Sequence, residues 1–425
     1  IRRALLPLET LDGSEWDDLR TKEVMEWEDW KAVVRSFDTG KSGGSSEVRI
    51  EAIKALPPLA QYHMMTFLNV MMQHKLVPET MLTAVVAPLH KNKKEPFDLT
   101  NIRPISLMEV MTKIMDKHYS IQIQAVLRKF PHIISDTQNA FCPGRGVANP
   151  LLCNELVNED AARSGGTRTA WTAYHDISKA YDSVEFWAQE MALRRLKMPE
   201  HFIDYMREVT RRGTSRIQTA YGLTDPLIIE RGVRQGAVLS PFVFNAFMEP
   251  LAQILKECQP YVTEGGTEVQ GYFFADDIWN VSATYEGIKQ KVVLTAEYMG
   301  FFGMSLNTKK THLTSTWIGD HEPITVRVWK KGWFKAQGGF VDEEIPFKPP
   351  TEEAKYLGLH FVGTGCSRSA FNSLNGKFMG AIHQLHNRSM TFAEIAYVIQ
   401  AVVYARLAYG MAVTVPSDED CRKWQ

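Results

Sequence analysis

Three aspartates in two separate apolar segments are the residues of this chain best suited to hold metal ions. Asp276 and Asp277 follow an aromatic residue and an alanine inside the apolar run 271–278, and Asp176 stands 100 positions before Asp276. Adjacent carboxylates repel each other, so a turn that presents two of them beside an apolar strand generally needs cations to neutralise it. The pairing suggests a two-metal site of the kind used in nucleotidyl transfer.

The earlier segment predicts a strand that ends in a carboxylate. Residues 170–175 have the composition of a strand that delivers Asp176 at its end, and residues 177–182 predict a tight turn into a helix. A carboxylate at the carboxyl end of a sheet strand lies at the mouth of the cleft where ligands bind. An isolated aspartate here is also a common helix cap. Tyr181 favours a site, because a ring at this short distance is well placed to form a wall against a bound ligand.

A loop between the two aspartate segments has the composition of a ligand-contacting turn. Residues 231–241 place glycines on both sides of Arg234 and Gln235 and then begin an apolar helix with Ser240 and Pro241. Glycine lets the backbone approach a ligand closely, and proline suits the first helical turn. An ordinary surface turn is the alternative, but it would not need Gln235 or an adjoining aromatic helix.

In their order and spacing, these segments resemble the reverse transcriptases of non-LTR retrotransposons. The ordered set is far more specific than the aromatic-x-Asp-Asp pattern alone, which a chain this long would contain by chance roughly once in ten cases. The resemblance spans about residues 38–358, and its motifs are 40–54 (Gly-Lys-Ser-Gly-Gly before a helix), 88–91, 101–107 (Asn-x-Arg-Pro-Ile-Ser-Leu), 138–146, 176–182, 234–245 (Arg-Gln-Gly, Leu-Ser-Pro and Phe-Asn), 274–277, 303–311 and 356–358. Phe274 stands where the family more often has tyrosine, and Ala140 where glycine is commoner. Neither departure removes a metal ligand.

The resemblance implies an α+β fold of the right-hand polymerase class, with fingers, a palm whose antiparallel sheet packs on helices, and a helical thumb. The predicted divisions are a helical amino-terminal extension at 1–37, fingers at 38–165, a palm with part of the fingers at 166–350, and a primer-grip hairpin with the helical thumb at 351–425. The absence of an initiator methionine at Ile1 predicts a processed chain or a fragment, and the end at Gln425 is expected to truncate a longer polypeptide. Residues 326–347 alternate like strands, with turns at Gly332, Gly338 and Gly339, and have no assigned function.

The resemblance also implies a catalytic metal site. Asp176, Asp276 and Asp277 are expected to be catalytic and, together with Ile177, to be the metal-binding positions, with Asp176 and Asp276 as shared ligands. In such enzymes a primer 3′ hydroxyl attacks the α-phosphate of a nucleotide, and two divalent ions stabilise the attacking and leaving oxygens. Mg²⁺ is the expected cofactor, with Mn²⁺ as a possible substitute, because hard carboxylate oxygens, phosphates and water suit it.

Six positions are expected to contact the incoming nucleotide, namely Lys91, Arg103, Tyr181, Gln235, Gly236 and Lys310. Lys91 and Arg103 resemble the cations that grip a triphosphate, whereas Lys93 and Lys94 fit a solvated loop better, which is also the alternative for Lys91. Tyr181 resembles the ring that excludes a 2′ hydroxyl and so selects deoxynucleotides. A core aromatic residue is the alternative.

The remaining predicted contacts involve the base pair, the leaving group and the primer. Gln235 and Gly236 would lie against the nascent base pair, with glycine allowing the backbone to come close. Lys310 resembles the lysine that protonates or steadies the leaving pyrophosphate, and an exposed lysine is the alternative. The primer-binding residues are expected to be Tyr356, Leu357 and Gly358 in a small hairpin.

Composition indicates a soluble, folded, intracellular protein. The 425 residues, 44% of them hydrophobic, can form more than one substantial core, and the net charge of −1 leaves the grip on phosphates to local basic stretches at 91–94, 207–216, 309–310 and 330–335. Five cysteines, at 142, 153, 258, 366 and 421, form no Cys-x-x-Cys pair, which predicts reduced thiols. The apolar stretch 395–415 contains Gln400 and Arg406, which favours a packed amphipathic helix followed by a buried segment over a membrane span.

The expected partners are an RNA template, a DNA primer or nicked target DNA, and deoxynucleoside triphosphates, with no membrane. The expected location is intracellular and nuclear during integration. Alternatives are a group II intron maturase or telomerase-like reverse transcriptase, a decayed domain that only binds RNA, and a nuclease of the ribonuclease H type. Decay is expected to remove one of the three aspartates, and such a nuclease has no reason to keep Gln235, Gly236 and Tyr181.

Overall fold

The chain divides into two compact units in a computed structural model. The first unit comprises Ile1–Asp136, Phe141–Gly144 and Lys179–Pro250, and the second comprises Thr137–Ala140, Arg145–Ser178 and Leu251–Gln425. The structure describes residues 1, 3–91, 101–319, 321–330, 338–363, 368–386, 388–411, 413–414 and 417–424. Five residues named above, Lys93, Lys94, Gly332, Cys366 and Gln425, lie outside the described residues. The predicted four-part division at 1–37, 38–165, 166–350 and 351–425 stays a prediction.

The described residues alternate between helices and short strands. In chain order the strands are β1 (Ala84–His90), β2 (Ile102–Leu107), β3 (Trp171–His175), β4 (Thr214–Thr219), β5 (Gly222–Leu223), β6 (Leu227–Ile228), β7 (Tyr261–Val262), β8 (Glu268–Val269), β9 (Gly271–Phe274), β10 (Asp277–Ser282), β11 (His312–Ser315), β12 (Ile324–Lys330), β13 (Gly339–Ile345), β14 (Phe347–Lys348), β15 (Ala354–Tyr356) and β16 (Leu359–Phe361). The helices are α1 (Asp17–Thr21), α2 (Trp27–Arg35), α3 (Ile50–Ala55), α4 (Pro58–His74), α5 (Glu79–Leu82), α6 (Val110–Lys129), α7 (Ala148–Arg163), α8 (Ala180–Ser183), α9 (Phe186–Arg195), α10 (Glu200–Arg211), α11 (Ser240–Lys256), α12 (Tyr285–Phe301), α13 (Arg368–His386), α14 (Phe392–Val398), α15 (Ala405–Met411) and α16 (Asp418–Trp424).

Strong local patterns fold as predicted. The strand expected at 170–175 is β3, the helix expected after Ser240 is α11, and the described residues of the alternating stretch 326–347 include the antiparallel pair β12 and β13, with Ile324 opposite Ile345. In β12, Val326 and Val328 are buried, because alternate residues of a strand share one face.

The amino-terminal extension packs within the first unit through its tryptophans. The indole Nε1 of Trp16 donates a hydrogen bond of 2.7 Å to the carbonyl of Leu196, and that of Trp30 donates one of 3.0 Å to the side-chain oxygen of Gln61. Both tryptophans are fully buried. A buried indole needs a partner for its N–H, so these bonds fix where α2 and the turn before α1 pack.

The sheet of the first unit has the strand order β2-β1-β4-β5, with β6 also paired to β4. β1 and β2 are antiparallel, and β1 and β4 are parallel. The segment Ala84–Val86 is apolar and rich in β-branched residues, which favour a pleated and half-buried strand.

The sheet of the second unit has the strand order β14-β11-β3-β10-β9, so β3 lies in its middle. On one face Tyr174 and Trp279 pack with Leu151 of α7, and on the other Ala173 packs with Val292 of α12. This division follows from the period of two along a strand. With helices on both faces, β3 and β10 are buried along nearly their whole length and form a rigid support for the residues at their ends.

The apolar stretch near the carboxyl end is helical but not packed as predicted. Within the described part of the chain, Phe392–Met411 is long and apolar enough to cross a membrane by length and composition alone, with a mean hydropathy of 1.2. Only 12% of its most apolar window is buried. Periodicity identifies the apolar face of a helix, but it does not determine whether another element covers that face.

Candidate functional site

Strand register brings the three predicted carboxylates to one end of the sheet in the second unit. β3 ends at His175, and the antiparallel strand β10 places Ile278 opposite it. Asp176 directly follows β3 and Asp277 is the first residue of β10, so both lie at the same end of this ladder. Asp276 precedes Asp277 in the turn between β9 and β10. Asp176 and Asp277 are therefore close enough for the charge of Asp176 to act on Asp277, at one end of the sheet.

The carboxyl of Asp277 has a raised pKa in this cluster. Loss of hydration in the turn, followed by the charges of Asp276 and Asp176, raises the pKa of Asp277 to about 6. Water still reaches the cluster, because the side chain of Asp176 is 41% exposed. A divalent cation would remove the repulsion between the three carboxylates, so the donor set fits a hard metal ion.

The cluster is open. Among the described residues, no group of three or more His, Cys, Asp or Glu side chains is placed to hold a metal ion by itself, so water or substrate oxygens would have to complete the coordination. An open arrangement suits Mg²⁺, which proteins commonly hold through one or two carboxylates while it keeps water and phosphate ligands. Ile177, the fourth predicted metal position, is buried and bridges to Leu306. Since its side chain has no donor atom, only its backbone carbonyl could serve that role.

Cation binding at this cluster is expected to weaken in acid. Because the pKa of Asp277 is raised to about 6, a bound cation must displace a proton below that pH. The apparent dissociation constant for Mn²⁺ should rise about tenfold per pH unit below pH 6. A Mn²⁺ titration followed by electron paramagnetic resonance between pH 5 and 8 measures this dependence, and affinity that is constant across that range would contradict it.

The pH dependence of the free energy of unfolding gives a second test of the raised pKa of Asp277. A carboxyl whose folded-state pKa is raised stabilises the metal-free protein below its ordinary pKa of 3.8, and this contribution is lost as the pH rises through about 6. The stability of Asp277→Asn relative to the wild type should therefore rise between pH 4 and 6. Comparing the two proteins cancels the other groups that titrate in this range.

The segment that precedes β11 holds Asp176 in place. The backbone N–H of Asn307 donates a 2.8 Å hydrogen bond to the carbonyl of Asp176, and the N–H of Asp176 donates one of 3.4 Å to the hydroxyl of Thr311. The Nζ of Lys310 lies 3.9 Å from a carboxylate oxygen of Asp176, and both side chains are substantially exposed. The structure thus brings Lys310 to the carboxylate cluster with its ammonium group accessible to solvent.

The predicted primer-binding tripeptide forms the turn of the β15–β16 hairpin in the second unit. Tyr356 is only 3% exposed, and its ring packs 5.5 Å from that of Tyr174 and 6.5 Å from that of Trp279. Its side chain therefore anchors the hairpin in the core, and its primer-binding role stays a prediction. Leu357 and Gly358 are half-buried, with φ of +47° and +82°, and remain available at the turn.

Two residues that the sequence analysis did not identify hold this turn from the carboxyl-terminal helices. The hydroxyl of Tyr409 in α15 donates a hydrogen bond to the carbonyl of Leu357. The Nζ of Lys377 in α13 donates one of 3.3 Å to the carbonyl of Gly358. Burial and the charge of Asp277 raise the pKa of Tyr409, which places this contact within the electrostatic field of the carboxylates. No local motif marks either residue, because both bonds join segments distant in sequence.

The loop with Gln235 and Gly236 lies in the first unit and is held along its length. The Nε2 of Gln235 donates a 2.9 Å hydrogen bond to Asp182, and its carbonyl accepts one of 2.7 Å from the N–H of Ser106. Gly236 has φ of +106°, and a Cβ there would lie 2.8 Å from the carbonyl of Ser106. Glycine is therefore required both by conformation and by space.

Arg234, next to this loop, is a structural residue. Its guanidinium donates hydrogen bonds of 3.1 Å to the carbonyl of Leu82 and 3.3 Å to that of Thr214. Burial lowers the pKa of Arg234 to about 10, against the opposing charge of Asp116. The arginine thus ties the start of the loop to the segments around β1 and β4.

Tyr181 in α8 stacks on Phe244 of α11, with ring centroids 4.2 Å apart and planes 9° from parallel. Its carbonyl accepts a 2.7 Å hydrogen bond from the N–H of Val233. The side chain is half-buried, so Phe244 fixes the ring while part of it remains exposed. This geometry is compatible with a rigid wall for a ligand and differs from that of a fully buried core residue.

The two predicted phosphate-binding cations lie on the β1–β2 ladder. Arg103 of β2 is paired with Leu89, and the N–H of Lys91 extends the ladder with a 2.8 Å bond to the carbonyl of Asn101. Residues 89 and 91 share one face of the strand, so Lys91 and Arg103 project to the same side. Both are exposed. The charge of Lys91 also acts on Asp182, the hydrogen-bond partner of Gln235.

The predicted site residues are thus distributed over both units. The second unit contains Asp176, Ile177, Asp276, Asp277, Lys310, Tyr356, Leu357 and Gly358, and the first contains Lys91, Arg103, Tyr181, Gln235 and Gly236. Each group forms a connected set of neighbours within its own unit. The individual catalytic and binding roles stay predictions.

Comparison with known proteins gives a consistent family assignment. A sequence model of the family described as reverse transcriptase (RNA-dependent DNA polymerase) matches residues 90–361. The Retrovirus-related Pol polyprotein from type-2 retrotransposable element R2DM of Drosophila melanogaster is 27% identical over 282 residues, covering 66% of this chain and 25% of that protein. The corresponding polyprotein from the type-1 retrotransposable element R2 of Nasonia vitripennis is 28% identical over 304 residues, covering 70% and 28%.

A more distant relative is similar along a longer stretch. The probable RNA-directed DNA polymerase from transposon BS of Drosophila melanogaster is 20% identical over 348 residues, covering 80% of this chain and 35% of that protein. The chain spans about a quarter to a third of the length of these curated relatives.

Proposed function

The chain belongs to the reverse transcriptase (RNA-dependent DNA polymerase) family, and on this premise we propose that it extends a DNA primer on an RNA template as the polymerase domain of a non-LTR retrotransposon. Membership of this family confirms the predicted α+β polymerase class. The observation that carries the proposal is the β3–β10 register, which brings the end of β3, followed by Asp176, beside the start of β10 at Asp277, with Asp276 in the adjoining turn. A domain that only binds RNA has no need to keep three mutually repelling carboxylates together.

Asp176, Asp276 and Asp277 hold the divalent ions in the proposed reaction. The family uses divalent metal ions in general, and Mg²⁺ is the one proposed here, because the open carboxylate cluster leaves room for phosphate and water ligands. When bound, the ions stabilise the attacking primer oxygen and the leaving pyrophosphate oxygen. The chain's own contribution is to fix the carboxylates at the ends of rigid strands, so that little reorganisation is needed during reaction.

The proposed roles of the other residues follow from their placement within each unit. Lys91 and Arg103, exposed on one face of the β1–β2 ladder, bind the triphosphate of the incoming nucleotide. Lys310 lies beside Asp176 with an exposed ammonium group, which suits protonation or charge stabilisation of the leaving pyrophosphate. Tyr181 limits the space at the sugar, and Gln235 with Gly236 contacts the nascent base pair.

The proposed primer contact involves two of the three residues that the sequence predicted. Leu357 and Gly358 form the available part of the hairpin turn, while Tyr356 supports it from the core. The proposed nucleic acids are an RNA template and a primer strand that is either free DNA or the 3′ end of a nicked target. Action on chromosomal DNA places the protein in the nucleus during integration.

Primer extension tests the proposal directly. A labelled DNA primer annealed to an RNA template is incubated with the chain, deoxynucleotides and Mg²⁺, beside an identical-sequence DNA template. Template-directed extension on RNA is expected, and removal of Mg²⁺ by a chelator should stop it until Mg²⁺ is restored. A parallel titration with Mn²⁺ compares the two ions.

A binding measurement separates failure of chemistry from failure of substrate binding. If the folded chain shifts the RNA–primer duplex in a gel but never extends it with either ion, the RNA-binding alternative is supported and the polymerase proposal fails. Extension on DNA but not RNA templates would also contradict it.

A further inference from the structure

The edge strand β9 of the second unit's sheet is covered by residues 137–139, which are distant from β9 in sequence. β9 is the last strand in the order β14-β11-β3-β10-β9. The N–H of Phe273 in β9 donates a 2.9 Å hydrogen bond to the carbonyl of Thr137, and the N–H of Asn139 donates one of 2.8 Å to the carbonyl of Phe273. Gln138 thereby lies in a parallel bridge with Phe273. An otherwise exposed sheet edge is closed in this way.

The side chain of Gln138 reaches past this edge to the turn that carries two of the carboxylates. Its Oε1 accepts a 3.0 Å hydrogen bond from the N–H of Ala275 and one of 3.1 Å from the N–H of Ala140. Gln138 is only 2% exposed, so water cannot replace these bonds without opening the segment. The acceptor therefore joins the edge segment to the residue directly before Asp276.

Ala275 needs such support because of its backbone conformation. Its φ is +57°, in the left-handed region that residues with a Cβ rarely adopt. Positive φ at Ala275 gives the turn between β9 and β10 the shape that sets the direction of Asp276 and Asp277. Strained conformations of this kind persist only when neighbouring contacts determine them, and they cluster at functional sites.

We infer that Gln138 is a positioning residue for the metal-binding carboxylates, which its amide oxygen orients by fixing the Ala275 turn. The inference deepens the proposed polymerase function and rests on it for the catalytic consequence. Gln138 does not bind the metal itself, since its oxygen is used by the two N–H donors. Its backbone is held separately, through a 2.9 Å bond from the guanidinium of Arg145 to its carbonyl. A change of side chain can therefore act on the turn while the segment keeps its backbone bonds.

Mn²⁺ binding to the chain without nucleic acid tests this role. Gln138→Met keeps the length of the side chain but removes the acceptor, and Gln138→Asn withdraws the oxygen by one methylene. Both should weaken Mn²⁺ binding by about three- to tenfold, the range expected for one lost hydrogen bond. Gln138→Glu keeps an acceptor oxygen and should bind Mn²⁺ at least as tightly as the wild type. The amide Nε2 that this variant loses has no hydrogen-bond partner among the described residues.

A matched control removes a bond to the same segment without touching the turn. Asn149 is exposed, and its Nδ2 donates a 3.3 Å hydrogen bond to the side chain of Asn139. Asn149→Ala should leave Mn²⁺ affinity unchanged. Circular dichroism melting identifies any variant that fails to fold, and the milder Gln138→Asn replaces Gln138→Met if the latter does.

Two outcomes overturn the inference. Folded Gln138→Met or Gln138→Asn that binds Mn²⁺ like the wild type shows that the turn does not depend on the acceptor. Weakened binding in Gln138→Glu as severe as in Gln138→Met shows that packing, not the acceptor, is what matters.

Primer extension then distinguishes this inference from the proposed function. In an active polymerase, the metal concentration for half-maximal rate should rise in Gln138→Met by the same factor as the Mn²⁺ dissociation constant. A merely structural residue would lower the folded fraction without moving that concentration. If the wild type shows no extension but the Mn²⁺ effect is present, the polymerase proposal fails while the positioning role stands.

Discussion

Replacing Asp276 by asparagine is expected to reduce the rate of nucleotide addition by at least about 10³-fold. Metal-ion stabilisation of the transition state is worth several kcal/mol, and each 1.36 kcal/mol corresponds to a factor of ten. The amide keeps the size of the side chain but removes the charge that binds the cation. Single-nucleotide extension on an RNA template, measured under saturating primer and deoxynucleotide, gives the rate for each protein.

The thermal stability of metal-free Asp276→Asn is expected to equal or exceed that of the metal-free wild type, although its extension rate falls. The charge of Asp276 contributes to the raised pKa of Asp277, so its removal relieves repulsion in the metal-free protein. Asp276→Asn should therefore melt at the same temperature as the metal-free wild type or higher, and added Mg²⁺ should raise its melting temperature less. A variant with a damaged fold would melt at a lower temperature than the metal-free wild type. The melting temperature therefore separates loss of catalysis from loss of folded structure.

Glu268→Gln is the matched control for this experiment. Glu268 is an exposed carboxylate in β8 of the same unit, outside the proposed site. Its neutralisation should leave the extension rate within about twofold of the wild type, since isolated surface charges have small effects. A rate for Asp276→Asn within tenfold of the wild type would show that this carboxylate is not a required metal ligand.

Replacing Tyr181 by valine is expected to relax the selection of deoxynucleotides over ribonucleotides. The ring is stacked on Phe244 at 4.2 Å and is half-buried, so it is a rigid surface with a fixed position. Steric rejection of one additional small group typically contributes a factor of about 10 to 200 in kcat/KM. The ratio of kcat/KM for a deoxynucleotide to that for the matching ribonucleotide should fall by a similar factor in Tyr181→Val.

Two further variants test whether the shape of the Tyr181 ring causes the selection of deoxynucleotides. Tyr181→Phe keeps the ring and should keep the selectivity, since exclusion depends on shape and not on the hydroxyl. Phe244→Leu removes the stacking partner and should produce a smaller loss, because the ring of Tyr181 is then less firmly held. Unchanged selectivity in Tyr181→Val, with extension intact, would support the interpretation of Tyr181 as a core aromatic residue.

Much of the local structure could be predicted from the sequence because its signals are periodic or conformational. Alternating apolar residues identify β12 and β13, and the apolar run after Ser240 identifies α11. The requirement for glycine at Gly236 could be anticipated from its place in a close-approach loop, although the contact with Ser106 could not. These features depend on residues within a few positions of each other.

The burial of individual side chains was predicted less completely. Tyr356 lies in the expected small hairpin with its ring buried against Tyr174 and Trp279, and its contact with the primer stays a prediction. The stretch 395–415 was expected to begin with a packed helix, but most of the helical segment Phe392–Met411 is exposed. In both cases the side-chain type was identified correctly, whereas burial depends on which distant elements cover that side chain.

The sequence by itself determined the chemistry of this protein: three carboxylates, a lysine, an aromatic ring and a glycine loop in the order typical of reverse transcriptases. Only the tertiary structure decided how these groups are held. The β3–β10 register brings Asp176 and Asp277 to the same end of the sheet, Asn307 and Thr311 bind the backbone of Asp176, and Gln138 supports the turn before Asp276. The physical reason is that residue type and local periodicity are properties of the chain itself. Register and long-range hydrogen bonds are set by the packing of all the elements together, and no local stretch of sequence contains that information.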